Sequence, residues 1–201
     1  MPNPGNFIHL CVDVQNMFAT ETEWSTPWLN KMLPAIEALV DRNPSRTVFT
    51  RFMPPLSAEQ EVGEWKQYYR RWPSMTRQCL PSQMIELVPS LRQYVPPATV
   101  FDKNRYSPWF SGRLDTLLRR AGVETVLVSG GETDVCVLAT VLGAIDLGYR
   151  VMLPTDAVFG SASQTHDAAI TVFKSRFGKQ LTAVRTQELL DEWETLFSIP
   201  T

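Results

Sequence analysis

What this chain lacks narrows its function before any motif is considered. It has no long hydrophobic run: the apolar stretch after the polar, Pro-containing start, Met1–Asn6, is broken at Asp13, far short of a secretory signal core or a membrane span. Nothing directs the chain out of the cytosol, so a cytoplasmic protein is expected, with no membrane partner. It has no excess of one charge either, with 19 basic against 21 acidic side chains and a formal net charge of -2. The electrostatic footprint of a nucleic-acid binder is therefore missing, and the expected partner is a small-molecule substrate. Cysteine is sparse, at positions 11, 79 and 136; the odd count and the lack of a C-x-x-C pair exclude a disulfide framework and leave three free thiols. Histidine is sparser still, with His9 and His166 far apart in the chain, too few to build a histidine metal site. No internal repeat and no low-complexity tract is present.

What the chain has is the composition of a globular domain. Its 201 residues, 44% hydrophobic and 20% charged, suit a single domain over 1–201. Short β-rich runs at Ile8–Val14, Arg46–Arg51, Ala98–Phe101, Glu124–Ser129, Arg150–Leu153 and Leu181–Val184 alternate with segments long enough for crossover helices. Several runs, such as Val126-Leu127-Val128, are continuously apolar, as strands covered on both faces must be. The pattern predicts a doubly wound α/β domain. Residues 53–97 break the rhythm with prolines and aromatics and read as a helical excursion over the sheet. There Trp65, Tyr68, Tyr69 and Trp72 fall on one helical face, a stripe that packs on the core or, alternatively, walls a pocket or a subunit contact.

In such a sheet the ligand crevice lies beyond the carboxyl ends of the strands. An acid, a base and a thiol fall there: Asp13 after Leu10-Cys11-Val12, Lys103 after Val100-Phe101-Asp102, and Cys136 after Val128-Ser129-Gly130-Gly131. The two glycines permit a tight turn, and Thr133 then reads as the N-cap of a helix running to Leu147, with Cys136 at its third position. A thiol there has its thiolate favoured by the helix dipole and by unpaired N–H groups, which can also hold an oxyanion. Spacing alone equally allows Cys136 to be a buried small hydrophobe, and Asp13 with Lys103 to be a salt-bridged pair at the rim. Cys11 reads as core, Cys79 as incidental, Asp134 as a first-turn acid complementing the helix dipole, and His166 as a surface or packing residue.

The blocks Asp13-Val14-Gln15-Asn16-Met17-Phe18, Lys103-Asn104-Arg105-Tyr106-Ser107-Pro108-Trp109-Phe110, Gly130 to Val137, Gly148-Tyr149-Arg150-Val151 and Asp156-Ala157 resemble the isochorismatase-like cysteine hydrolases. The similarity runs from about Phe7 to about Glu188 and is weak between Met53 and Pro97. The resemblance implies a three-layer, Rossmann-like domain with a six-stranded parallel sheet flanked by helices. It also implies a triad of Asp13 as proton acceptor, Lys103 as the cation that steadies charge, and Cys136 as nucleophile of a thioester route. It places a cis peptide between Gly131 and Glu132, which would aim the N–H groups of Glu132 and Cys136 at one oxyanion. Family members form homo-oligomers, here a dimer or tetramer, and no cofactor is expected. Metal-dependent nicotinamidases carry Asp-x-His after the second strand, where this chain has Phe52-Met53-Pro54, so no metal is expected. The resulting expectation is a cysteine amidohydrolase for a small uncharged amide, ureide or lactam, with Phe18, Trp24, Phe52, Tyr106 and Trp109 as the substrate wall. The alternatives are an isochorismatase-type vinyl-ether hydrolase, which Cys136 argues against, and a catalytically silent oligomerising member. Arg51 and Arg105 are further candidates for holding a substrate carboxylate.

Overall fold

The computed structural model describes residues 6–197; residues 1–5 and 198–201, and with them most of the polar start noted above, lie outside that range. The strands are β1 (Phe7–Val12), β2 (Thr47–Phe52), β3 (Thr99–Lys103), β4 (Thr125–Gly131), β5 (Arg150–Pro154), β6 (Val158–Phe159) and β7 (Leu181–Val184). Their pairing is parallel throughout, in the order β3-β2-β1-β4-β5-β7, with the short β6 added to the far end of β4. The strand order reverses between β1 and β4, which makes their carboxyl ends the switch point of the sheet.

Alternation along the strands builds a core on each face. Phe7 and Cys11 of β1 point to one side with Phe49 and Leu127, under the helix Trp28–Arg42 and the C-terminal helices Thr186–Asp191 and Trp193–Phe197. Leu10 and Val12 point to the other with Val126, Val128 and Leu153, under the helices Arg113–Arg120, Leu138–Asp146 and Ser163–Arg176. Each such fully buried side chain stabilises by about 1.5–3 kcal/mol.

The six expected strands are present with shifted ends. β1 stops at Val12 rather than Val14, because Asp13 takes a positive φ of 50° and turns the chain away from the ladder. The excursion that follows β2 is short helices and turns, and it contributes Tyr69, Met75, Leu80, Leu87 and Leu91 to the first core. Its docking point is Gln15, fully buried. The Gln15 side chain donates to the carbonyls of Phe52 at 3.1 Å and Ile85 at 2.7 Å and accepts the Phe52 N–H at 2.7 Å, so one amide satisfies three backbone groups that no strand reaches. Among the described residues no helix is long and apolar enough to cross a membrane.

Candidate active site

Close contact between β1 and β4 begins the site. Gly130 has a φ of +101°, and a Cβ there would lie 2.1 Å from the Val12 carbonyl oxygen; at Gly131 one would meet the Phe159 ring at 2.1 Å. Only glycine lets β4 run this tightly past β1 and β6 before the chain turns into the next helix. The peptide bond between Gly131 and Glu132 is cis.

Asp13 leaves β1 at the same level. Thr50 donates its hydroxyl to Asp13 Oδ1 at 2.6 Å, and Lys103 Nζ lies 2.6 Å from Oδ2, which has no other hydrogen-bond partner. Lys103 belongs to the outer strand β3, two strands from β1 and so about 10 Å away at the usual strand spacing. Only a long side chain spans that gap, and it does so past Phe52 at the end of β2, whose ring centroid is 5.0 Å from Nζ. Nζ also donates to the Arg105 carbonyl at 3.1 Å. The ion pair is almost wholly buried, with side-chain exposures of 3% and 1%. Burial works against the Lys103 ammonium, but the negative charge of Asp13 and the adjacent Cys136 hold its pKa above the ordinary value.

Cys136 sits in a π-helical turn, Thr133–Val137, that leads into the helix Leu138–Asp146. Two sequence expectations need correction here. Glu132, not Thr133, occupies the cap position, and Cys136 is consequently one position deeper than the third. The Thr133 hydroxyl is taken by His166 Nδ1 at 2.9 Å, while the Glu132 carbonyl accepts the N–H of Val135 and, in an i+5 bond, that of Val137. The thiol lies beside both Asp13 and Lys103; burial pushes its pKa up, Lys103 opposing and Asp13 adding. Burial thus favours the S–H form of Cys136 over its thiolate, and the neighbouring ammonium works against that preference.

Above the thiol opens a cavity of about 260 Å³, lined by Phe18, Trp24, Phe52 and Tyr106 together with Cys136.

The Isochorismatase domain profile matches residues 7–184. The chain belongs to the isochorismatase family. It is 28% identical over 170 residues to nicotinamidase 3 of Arabidopsis thaliana, covering 84% of this chain and 81% of that protein. It is 31% identical over 113 residues to the uncharacterized isochorismatase family protein YwoC of Bacillus subtilis, a match spanning only 56% of this chain and 58% of that relative. Among solved structures, a cysteine hydrolase from Pseudomonas syringae superimposes with a TM-score of 0.81 at 20% identity, covering 97% of this chain and 95% of that one, a likeness of fold.

Within this isochorismatase-family fold the aromatic candidates divide. Trp109 does not reach the cavity: it is buried on the opposite core, where its indole N–H donates to the Thr140 carbonyl at 2.8 Å, its ring stacks on Tyr149, and a Cβ on Gly143 would lie 2.3 Å from it. Its polar edge is satisfied by the helix, which fixes it as a packing residue. Tyr68 corrects the other way. Although the stripe Trp65–Trp72 is distant in sequence, Tyr68 lines the cavity beside Trp24 at a centroid distance of 5.8 Å, while Tyr69 is buried in the core. Sequence reasoning also missed Glu23, Ser25, Val135 and Ser161 of the lining; Val135 lies within the Gly130 to Val137 block without being singled out, and the other three lie in no motif, so only the fold of the loops gathers them. Arg51 is paired with Asp102 and Glu86, and Arg105 with Glu61, so both arginines have internal partners.

The remaining candidates lie elsewhere. Cys11 is buried in the core, its pKa pushed up to about 12 by burial, and Cys79 is exposed. Asp134 stands in the first turn after β4, with Oδ1 buried and unpartnered. His9 is buried between strands against Ser129 at 2.7 Å, and His166 is buried against Thr133 with its ring edge-on to Trp28, so it is a packing residue. Among the described residues no group of three His, Cys, Asp or Glu is placed to hold a metal, and Phe52 packs on the Lys103 ammonium.

Proposed function

We propose that this chain is a hydrolase that cleaves the C–N bond of a small amide, ureide or lactam through a thioester on Cys136, with no metal in the reaction. The observation that carries the reading is the buried Asp13–Lys103 pair, 2.6 Å apart, placed against the Cys136 thiol where it lines an aromatic-walled cavity. A carboxylate can take the thiol proton as sulfur bonds to the carbonyl carbon and the carbonyl π pair moves to oxygen, and the fixed ammonium steadies the thiolate as it forms and the negative charge that passes to that oxygen. The N–H groups of Glu132 and Cys136 are the proposed donors to the oxyanion. Collapse of the adduct breaks the C–N bond, the departing nitrogen takes the proton from Asp13, and the acyl group stays on sulfur. Water, deprotonated by Asp13, then attacks the thioester, releasing the acid and restoring S–H.

An isochorismatase-type reaction on a dicarboxylate receives less support, because Lys103 is committed to Asp13 and no basic side chain among the described residues lines the cavity. Replacement Cys136→Ala should leave the fold intact by circular dichroism and lower ammonia release from a panel of amides, ureido acids and lactams by at least about 10³-fold. Retention of most activity by that variant, or a clear preference for isochorismate over the amides, would overturn the reading.

A further inference from the structure

The cavity carries charge of one sign only. Glu23 and Glu132 line it, and among the described residues no lysine, arginine or histidine does. Glu132 stands beside Ser161 on the wall; burial pushes its carboxyl pKa up, and the polar groups of Ser161 oppose that shift in favour of the carboxylate. Arg105, the cation nearest the loop that carries Tyr106, is consumed by a two-point contact with Glu61 at 3.2 and 2.9 Å and lies over the Trp65 ring at 4.8 Å.

The wall between these carboxylates is aromatic. Trp24 contacts Tyr68 at a ring-centroid distance of 5.8 Å and Phe52 at 5.9 Å, and Phe52 stacks on Tyr106 at 6.5 Å. The Phe52 face already meets the Lys103 ammonium, whereas among the described residues no cation of the protein is found over Trp24, Tyr68 or Tyr106. Electron-rich ring faces with carboxylates beside them compensate a weakly hydrated cation for the water it sheds on entry. A carboxylate brought into the same space would meet two like charges and no free cation, and a neutral group gains only its apolar contact.

We propose that the pocket selects amides bearing a positive charge, a quaternary ammonium or protonated amine, a short distance from the scissile carbonyl. Trp24, Tyr68 and Tyr106 take the cationic end, Glu23 and Glu132 supply the field, and the amide end is left over Cys136. The selection rests on the proposed thioester reaction for the identity of the scissile group, but not for the charge preference.

The test separates the two. Titration calorimetry on the Cys136→Ala protein uses three matched amides: the quaternary betaine amide trimethylammonioacetamide, its neutral isostere 3,3-dimethylbutanamide, and the anionic malonamate. At low ionic strength the cation should bind at least about tenfold more tightly than the isostere, with the anion weakest, and added salt should narrow the gap. Glu23→Gln in the same background should bring the ratio of cation to isostere toward one. In the wild-type protein, kcat/KM should follow the same order. Turnover of none of the three with the binding order intact would sink the reaction and leave this inference standing. Equal or weaker binding of the cation than of its isostere, a ratio unmoved by Glu23→Gln, or binding of none of the three would overturn it.

Discussion

Two ion pairs stand side by side at the rim of the sheet, and they differ in nearly everything but position. Arg51 of β2 pairs with Asp102 of β3, and one residue further along the same two strands Phe52 faces Lys103. Arg51 meets Asp102 at 2.8 Å and Glu86 at 3.1 Å, with its partners 45% and 37% exposed. Lys103 meets Asp13 where both side chains are at most 3% exposed. Alternation along the strand sends one cation toward water and the next toward the nucleophile. Solvent screens the outer pair, so either member can be lost cheaply, whereas the inner pair has no water to fall back on and each charge depends on the other. Burial, not distance, separates an ion pair that serves chemistry from one that decorates the surface.

The largest expected effect is on the inner pair. Lys103→Met strands Asp13 in the interior and should lower unfolding free energy by about 3 kcal/mol, together with activity. Adding Asp13→Asn should recover much of that stability and none of the activity, as read by urea melts and ammonia release on both variants. Recovery of activity in the double variant would mean the pair is structural only.

The next effect concerns a buried group with no counter-charge. His9 is held neutral between Ser129 and Thr47, its pKa lowered by burial to about 3. The unfolded chain binds the proton near 6.5, so the stabilisation from keeping His9 neutral is fully present above 6.5 and is lost as pH falls toward 3, by up to about 1.4 kcal/mol per pH unit. His9→Gln should flatten the acid limb of a stability–pH curve over that window. An unchanged limb would show that carboxylates alone govern acid unfolding.

The smallest effect is on the outer pair. Arg51→Ala should cost less than about 1 kcal/mol and leave kcat unchanged. A loss matching that of Lys103→Met would erase the contrast between the two pairs.

How far the sequence reaches follows the same division. The convergence of Asp13, Lys103 and Cys136 was legible because each lies at or just beyond the carboxyl end of a strand, and parallel strands deliver such residues to one edge whatever lies between them. Four of the five aromatic candidates line the cavity for the related reason that Phe18, Trp24, Phe52 and Tyr106 follow strand ends in the chain. Trp109 obeys the same rule in sequence but belongs to the other core, where Gly143 leaves room for its ring and the Thr140 carbonyl accepts its N–H. Tyr68 was legible only as the alternative reading of its stripe, a pocket wall in place of core packing, since its approach depends on how Gln15 ties down the excursion, a contact between segments with no shared motif. The π turn at Thr133–Val137 escaped too, because nothing in a local pattern says that His166 will claim the Thr133 hydroxyl.

Because β3 is the outermost strand, it is aligned against one neighbour alone, β2. A slip of one residue along that neighbour would turn Lys103 outward and present Asp102 to the thiol, exchanging a cation for an anion beneath the nucleophile. The exposed Arg51–Asp102 contact joins two residues that are register partners, so it can close on the bifurcated arginine only when the strands are indexed correctly. Its worth lies in alignment more than in stability: it works as the detent of a sliding scale, nearly weightless, that lets the outer strand rest at the one mark where the site has the right polarity.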